Sequence, residues 1–205
     1  MSLNTKIFPL ALFPLQAVLF PEGLLSLKVF EARYLDLMSE CLRERKPFGV
    51  VTLRHGHEVR REGEQVEFDS TGCMAEVLEV DSSGPGLLQV RCRGTERFLV
   101  RRSEQQANGL WMAQVSPVSA DPSQLPAPEQ VECAKALANT IKMLKAKGPV
   151  PFLEPYRFDD AGWIANRWCE ILPIPVAAKQ KLMELSDPLV RLKLVDQFLR
   201  SKSII

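Results

Sequence analysis

The chain has 205 residues, a formal net charge of +1 at pH 7, 46% hydrophobic and 25% charged residues. This composition is that of an ordinary globular protein, long enough for one domain or for two small ones. A charge so close to zero creates no overall field that attracts nucleic acid or an anionic membrane, so either partner would require a local patch. The five cysteines are scattered and include no Cys-x-x-Cys pair, which favours reduced thiols in a cytoplasm over a disulfide framework.

The stretch from residue 7 to residue 34 is apolar enough to suggest an export signal. Pro9, Pro14 and Pro21 interrupt it, and proline prevents a continuous helix. A signal peptide needs roughly 7–15 unbroken apolar residues and a membrane span about 18. We therefore predict no signal and no membrane segment, but short extended pieces with prolines at strand starts or edges.

The sequence pattern of residues 1–117 predicts a β-rich domain with one helix. Apolar residues recur at three- and four-residue spacing from Tyr34 to Leu42, which indicates an amphipathic helix that stops before Pro47. Strands are predicted at residues 48–53, 73–80, 88–92, 98–100 and 110–116. Residues 54–67 are predicted as a loop or exposed hairpin, and 81–86 as a turn. Short strands at this spacing are typical of an antiparallel barrel or sandwich.

Composition changes near Val118, where three prolines follow within eleven residues. We predict a Pro-rich linker at 118–130 and a helical bundle at 131–205. Asp159 or Asp160 is expected to cap one helix. Asp187 should cap the last helix with Pro188 as its first residue, and its wide apolar face predicts a mostly buried helix.

No residue pattern in the chain indicates catalysis. The sequence contains no phosphate loop, no G-x-G-x-x-G and no G-x-S-x-G motif. His55 and His57 would share one face of a strand, which keeps open a metal site or an enzyme that uses this loop. No further Cys or His lies close to them in sequence, so a solvated loop is the better interpretation. We assign no catalytic, metal-binding or cofactor-binding residue and expect no cofactor.

Arginines on two adjacent predicted strands suggest a second kind of partner. Arg91, Arg93 and Arg101 would form part of a strip that contacts phosphates. The simpler explanation is the solvent face of an antiparallel sheet, where charged residues alternate with apolar ones. Tyr and Trp for base stacking are missing from the strip. RNA binding therefore remains the alternative hypothesis, ranked below the leading one.

A series of short motifs carries a resemblance to a known family. The opening motifs are Leu12-Phe13-Pro14-Leu15, Phe20-Pro21-Glu22-Gly23 and Phe30-Glu31-x-Arg33-Tyr34. The later ones are Phe48-Gly49-Val50-Val51, Gly72-x-x-Ala75-x-Val77, Gly94-x-x-Arg97-Phe98, Leu172-Pro173 and Asp187-Pro188-x-x-Arg191-Leu192. In this order, over nearly the whole chain, they resemble the N-terminal domain of the Lon ATP-dependent protease.

The resemblance implies an α+β fold, in which a PUA-like antiparallel β-pseudobarrel is followed by a helical bundle. Lon's phosphate loop and Ser-Lys dyad are both missing from this sequence. The chain thus resembles the stand-alone Lon-substrate-binding-domain proteins of bacteria, and we expect it to bind polypeptide without cleaving it. The leading hypothesis is binding of unfolded or exposed apolar segments, with an extended peptide pairing with a strand edge. Leu24 and Leu25 are the candidate contact residues.

The motif residues are expected to be structural. Phe13, Phe20 and Phe30 should pin the opening segment to the core, and Phe98 should enter the barrel. Gly94 is expected in a turn that needs a positive φ. Arg33 or Arg97 should hold a carboxylate or backbone carbonyls. The remaining members of this set are Pro14, Pro21, Glu31 and Tyr34.

Overall fold

The computed structural model describes residues 6–61 and 63–205, which fall into two compact units that divide between Ser119 and Ala120. The first unit contains β1 (Phe8–Leu15), β2 (Leu24–Val29), α1 (Ala32–Glu44), β3 (Phe48–His55), β4 (Glu67–Gly84), β5 (Leu87–Gln105) and β6 (Trp111–Pro117). The second contains a short 3-10 helix (Pro128–Gln130), α2 (Val131–Lys147), α3 (Ala161–Ile171), α4 (Val176–Glu184) and α5 (Pro188–Ser201). None of the described helices has both the length and the apolar character that crossing a bilayer would require.

The six described strands form one sheet in the order β2-β5-β4-β3-β1-β6, and a further β5–β6 pairing closes five of them into a ring. β1 and β3 pair in parallel, whereas the other neighbouring pairs are antiparallel. The expectation of a purely antiparallel barrel is therefore wrong at this one pair. Parallel neighbours need a long crossover, and here β2 and α1 supply it.

Gly94 lies inside one long strand, β5, and not in a turn between two strands as the sequence suggested. Its backbone N–H donates to the Gly23 carbonyl (2.9 Å), and its carbonyl accepts from the Glu22 N–H (2.8 Å). A Cβ at this position would stand 2.2 Å from the carbonyl oxygen of Phe20. The motif requires glycine for this close approach, not for a positive φ.

Aromatic residues of the opening segment and of β5 organise the interior of the first unit. Phe13 stacks on Tyr34 with ring centroids 3.8 Å apart, and Phe20 and Phe98 are fully buried. The Phe98 ring fills the space over Gly72, where a Cβ would stand 2.5 Å from Cζ of that ring. The expected burial of these phenylalanines is thereby observed.

Phe30 is the exception, because 53% of it is exposed to solvent. Side chains alternate between the two faces along a strand, and Val29, the last residue of β2, points into the core. The next side chain therefore points outward. The expectation that Phe30 pins the opening segment is wrong.

The helix starts of the second unit follow their predicted caps. The Asp160 carboxylate accepts from the Trp163 backbone N–H (2.8 Å) at the start of α3, and Asp187 accepts from two N–H groups at the start of α5. Along α5, however, Val190 and Leu194 are each 45% exposed. The buried part of the apolar face of this helix is therefore narrower than predicted.

A buried arginine ties residues before the first helix of the second unit to α5. Arg191 is 1% exposed and its guanidinium donates to Asp121 (2.6 Å), to Asn166 (3.1 Å) and to the Leu182 and Leu185 carbonyls. Asp121 belongs to the Pro-rich segment, which is therefore hydrogen-bonded to this unit. The family motif around Arg191 thus has a structural explanation.

Candidate functional site

Strand β2 lies at one end of the strand order, and β5 is its only sheet neighbour among the described residues. An edge strand presents N–H and C=O groups that a further strand can pair with. Its side chains alternate in burial, with Leu27 and Val29 in the core and Ser26 and Lys28 exposed. β2 therefore offers a backbone template to an incoming chain.

A cleft of about 340 Å³ runs along β2, and we call it the apolar groove. Its floor belongs to the hydrophobic core of the unit. Two exposed apolar side chains, Phe30 and Val59, stand among its walls at 53% and 47% exposure. Its apolar lining includes Phe13, Leu25, Val29, Phe30, Tyr34 and Val59. Such a cleft can take up apolar side chains of a partner.

The two leucines named from the sequence are separated by the pleat of β2. Leu25 lines the apolar groove and packs against the core, whereas Leu24 is not part of its lining. Both are half-buried. Sequence reasoning missed Phe30 as a groove residue because its motif suggested a core position. Val59 lies in a charged stretch that carried no signal of a binding site.

A second, polar cleft of about 620 Å³ adjoins the groove, and we call it the arginine pocket. Both clefts are lined in part by Tyr34 and Glu58. Arg33, Arg60 and Arg61 are its cationic members, and its lining also includes His57, Glu64 and Trp111. A ligand that extends from the groove past Tyr34 would enter this pocket.

Arg33 is the structural centre of this region. It is 7% exposed, donates to the Gly109 carbonyl (2.6 Å) and forms a salt bridge with Glu31 (3.1 Å). Its guanidinium also lies 4.4 Å from the centroid of the Tyr34 ring. Holding a carboxylate and a backbone carbonyl is the role predicted for it. Arg97, the other candidate for that role, is also buried and donates to the Ser119 carbonyl (3.2 Å).

Tyr34 forms the wall common to both clefts and is 3% exposed. Burial raises the pKa of its phenol to about 12, an effect that the neighbouring Arg33 charge partly opposes. The phenol is therefore neutral at physiological pH, so Tyr34 presents an uncharged wall to both clefts.

The carboxylates around the arginine pocket already have partners. Glu31 pairs with Arg33 (3.1 Å), and Glu58 accepts from the Gln16 backbone N–H (2.6 Å). Glu64 is hydrogen-bonded to Nδ1 of His57, and this bond lowers the pKa of the Glu64 carboxyl below its usual value. Each of these carboxylates therefore has a partner, while Oε2 of Glu64 is buried without a hydrogen bond among the described residues.

The three arginines of the alternative hypothesis do not form one strip. Arg91 pairs with Glu79 (2.9 Å) and Arg93 with Glu76 (2.7 Å) across β4 and β5. Arg101 lies eight residues further along β5, where its Nε donates to the Ser116 hydroxyl (2.9 Å). We call the Arg91–Arg93 surface with its two glutamates the paired face.

Other candidate chemistry finds little support in the described residues. They contain no group of three or more His, Cys, Asp or Glu side chains arranged to hold a metal ion. All five cysteines are buried, and none of them forms a disulfide. Burial raises the pKa of the Cys41 thiol to about 11 and that of Cys92, Cys133 and Cys169 to about 12. None of these four has the depressed pKa of a reactive cysteine.

Comparison with known proteins places this geometry in a family. Residues 9–201 match the model of the ATP-dependent protease La (LON) substrate-binding domain. Lon protease 2 of Myxococcus xanthus is 27% identical over 201 residues, which span 94% of this chain but only 24% of that protein. The crystal structure of a Lon N-terminal domain protein from Xanthomonas campestris is 30% identical, with a TM-score of 0.71 and coverage of 92% of this chain and 97% of that one.

The fold is also shared at lower identity. The N-terminal domain of the Lon protease of Mycobacterium avium complex has a TM-score of 0.63 at 16% identity, covering 92% of this chain and 96% of that one. The bacterial relatives, the mixed α+β fold and the ordered motifs agree. The chain belongs to the Lon substrate-binding domain family.

Proposed function

We propose that this protein is a non-catalytic module that binds polypeptides, and that extended apolar segments bind in the apolar groove. The observation that carries the proposal is the edge strand β2 with a cleft along it, walled by the exposed Phe30 and Val59. Membership of a substrate-binding-domain family supports it.

The proposed binding mode combines two sources of affinity. An extended segment pairs its backbone with the open edge of β2, which works for many sequences because every residue carries the same backbone groups. Alternate side chains of that segment then enter the groove beside Leu25, Phe30 and Val59. Burial of apolar surface stabilises the complex by roughly 25 cal/mol per Å² before the costs of association.

The finer structural expectations belong to the same proposal. We take the closed ring of strands as a PUA-like pseudobarrel and the helices of the second unit as a bundle, with a domain boundary in the segment 118–130. We place the protein in the cytoplasm, since five buried cysteines without a disulfide suit a reducing compartment.

The test is a titration of the protein into a fluorescently labelled, reduced and permanently unfolded polypeptide, followed by anisotropy. We expect saturable binding at micromolar protein that weakens little as salt is raised, because the contacts are mainly apolar. No binding at tens of micromolar protein would overturn the proposal.

The adjacent leucines of β2 supply a matched pair of variants. Leu25→Gln removes an apolar wall of the groove and should weaken binding several-fold, whereas Leu24→Gln, on the same strand and also partly buried, should not. Thermal unfolding of both variants shows whether each is folded. Equal loss of binding in two folded variants would remove the groove from the proposal.

A further inference from the structure

We propose that the arginine pocket binds a carboxylate carried by the same polypeptide that occupies the apolar groove. The preferred segment then has an acidic group beside its apolar anchor. This inference rests on the proposed function and deepens it, because it names a chemical class of substrate that apolar burial alone would not select.

The first support is position. The groove and the pocket meet at Tyr34 and Glu58, which line both. The groove extends along β2 to Phe30 and Glu31, so a chain that pairs with β2 is led past the Tyr34 wall. Groups of that chain beyond its apolar anchor would therefore lie next to the pocket.

The second support is charge. The Arg60 and Arg61 side chains are exposed, and within residues 6–61 and 63–205 neither guanidinium forms a salt bridge or a side-chain hydrogen bond. Glu62, the residue between Arg61 and Gly63, lies outside the described residues. Glu58 and Glu64 line the same pocket. Glu58 accepts from the Gln16 backbone N–H, and Glu64 is hydrogen-bonded to His57; that bond and, less strongly, the Arg61 charge lower the pKa of the Glu64 carboxyl. The guanidiniums of Arg60 and Arg61 nevertheless keep N–H donors that an external carboxylate can meet.

The third support is the chemistry of the pocket. A guanidinium offers two parallel N–H groups that match the two oxygens of a carboxylate, which gives direction as well as attraction. Trp111 and Val66 line the same pocket beside the two exposed guanidiniums. The partly buried Arg33–Glu31 pair fixes the wall from which this pocket is built.

The test compares three peptides that share one apolar core and differ only in the residues that flank this core on both sides, so that either direction of pairing with β2 brings a varied residue to the pocket. One carries two Asp residues, the second two Asn residues, and both have amidated C-termini; a third is the Asn peptide with a free C-terminal carboxylate. Each is labelled with fluorescein and titrated with the full chain. We expect the wild-type protein to bind the Asp peptide about tenfold more tightly than the amidated Asn peptide.

The protein variants are Arg60→Gln with Arg61→Gln, and, as a control, Arg91→Gln with Arg93→Gln, which removes the same charge from the paired face. The first pair should abolish the preference for Asp and leave binding of the amidated Asn peptide within about twofold of wild type. The control pair should retain the preference. If the wild-type protein prefers only the Asn peptide with the free C-terminal carboxylate, the result would support the same pocket with a chain terminus as its ligand.

Three results would overturn the inference. One is equal affinity of wild type for all three peptides. Another is a preference for the Asp peptide that survives in the Arg60/Arg61 variant. The third is an equal loss of this preference in the Arg60/Arg61 variant and in the Arg91/Arg93 control, which would show a general charge effect. Failure of the proposed function would give a different result from failure of this inference. In that case no peptide binds, or Leu25→Gln leaves binding of the amidated Asn peptide unchanged.

Discussion

The apolar groove and the paired face differ in whether their groups already have partners. Along the groove, Phe30 and Val59 keep about half of their surface in water, and β2 has a neighbour on one side only among the described strands. On the paired face, each arginine contacts a glutamate on the adjacent strand. A ligand in the groove gains free energy by covering apolar surface that is otherwise exposed to water. A ligand at the paired face must first displace a carboxylate from its arginine.

This difference explains why counting arginines is a poor guide to function here. Arg91 and Arg93 lie on one face as the sequence indicated, but Glu79 and Glu76 cancel their charge locally. Phosphate binding depends on net positive charge along the path of the backbone. The two surfaces differ more in whether their side chains already have partners within the protein than in the types of residue they carry.

The largest effect is expected from Phe30→Ala. The exposed ring should contribute to peptide binding as an aromatic anchor, so its truncation should weaken binding about tenfold or more. Because the ring is half-exposed, the free energy of unfolding should change by less than about 1 kcal/mol. Leu78→Ala, which removes a similarly exposed side chain from β4, is the control. Equal weakening of peptide binding by Phe30→Ala and Leu78→Ala would show that the groove contributes no more to binding than another exposed apolar position.

A smaller effect is expected from freeing the paired face. Replacing Glu76 and Glu79 by Gln leaves Arg91 and Arg93 without their partners, and we expect single-stranded RNA to bind several-fold more tightly, with affinity that falls steeply as salt rises. Electrophoretic mobility shifts at two salt concentrations measure this. If wild type itself binds RNA tightly and loses it on Arg91→Ala, the alternative function would replace our proposal.

The ionisation of Tyr34 gives a pH-dependent prediction for the groove wall. Its pKa is 10.0 when unperturbed and about 12 in the folded protein, so the folded state holds the proton more strongly. The resulting stability is fully present below pH 10 and is lost as pH rises towards 12. Tyr34→Phe should therefore show a smaller fall in unfolding free energy over this window than wild type, measured by guanidinium unfolding. Parallel falls would show that the phenol is not buried as described.

The smallest effect is expected from the ion pairs of the paired face themselves. Arg91 and Glu79 are both about half-exposed, and exposed pairs contribute about 0–1 kcal/mol. A double-mutant cycle of Arg91→Ala and Glu79→Ala should give a coupling energy in that range. A much larger coupling would mean that the pair holds the β4–β5 ribbon together, and that its arginine serves stability alone.

Much of the fold was accessible from the sequence because local rules governed it. The three- and four-residue spacing from Tyr34 predicted α1. Asp159 or Asp160, of which Asp160 is the cap, and Asp187 marked two helix starts because capping acts within one turn. Gly94 was misinterpreted, since nothing near it in sequence reveals that the Phe20 carbonyl would approach it. The parallel β1–β3 pair escaped prediction for the same reason: it is a long-range contact.

The site was only partly predictable. The strand-edge mode and Leu25 were named from the sequence, but the pleat that separates Leu25 from Leu24 depends on the register of β2 against β5. Phe30 was assigned to the core because aromatic motif residues usually are buried. The arginine pocket joins Arg33, Arg60 and Trp111 from distant parts of the chain, and no spacing pattern could indicate that meeting.

The pairing of β1 has a consequence for how the chain is made. β1 is the first of the described strands to leave the ribosome, yet it pairs with β6, whose residues come about a hundred positions later. Until then its apolar sequence lacks one of its two neighbours, and contacts so distant in sequence form slowly. The nascent chain of this family member is therefore itself an exposed apolar segment during synthesis, of the kind we propose the finished protein binds.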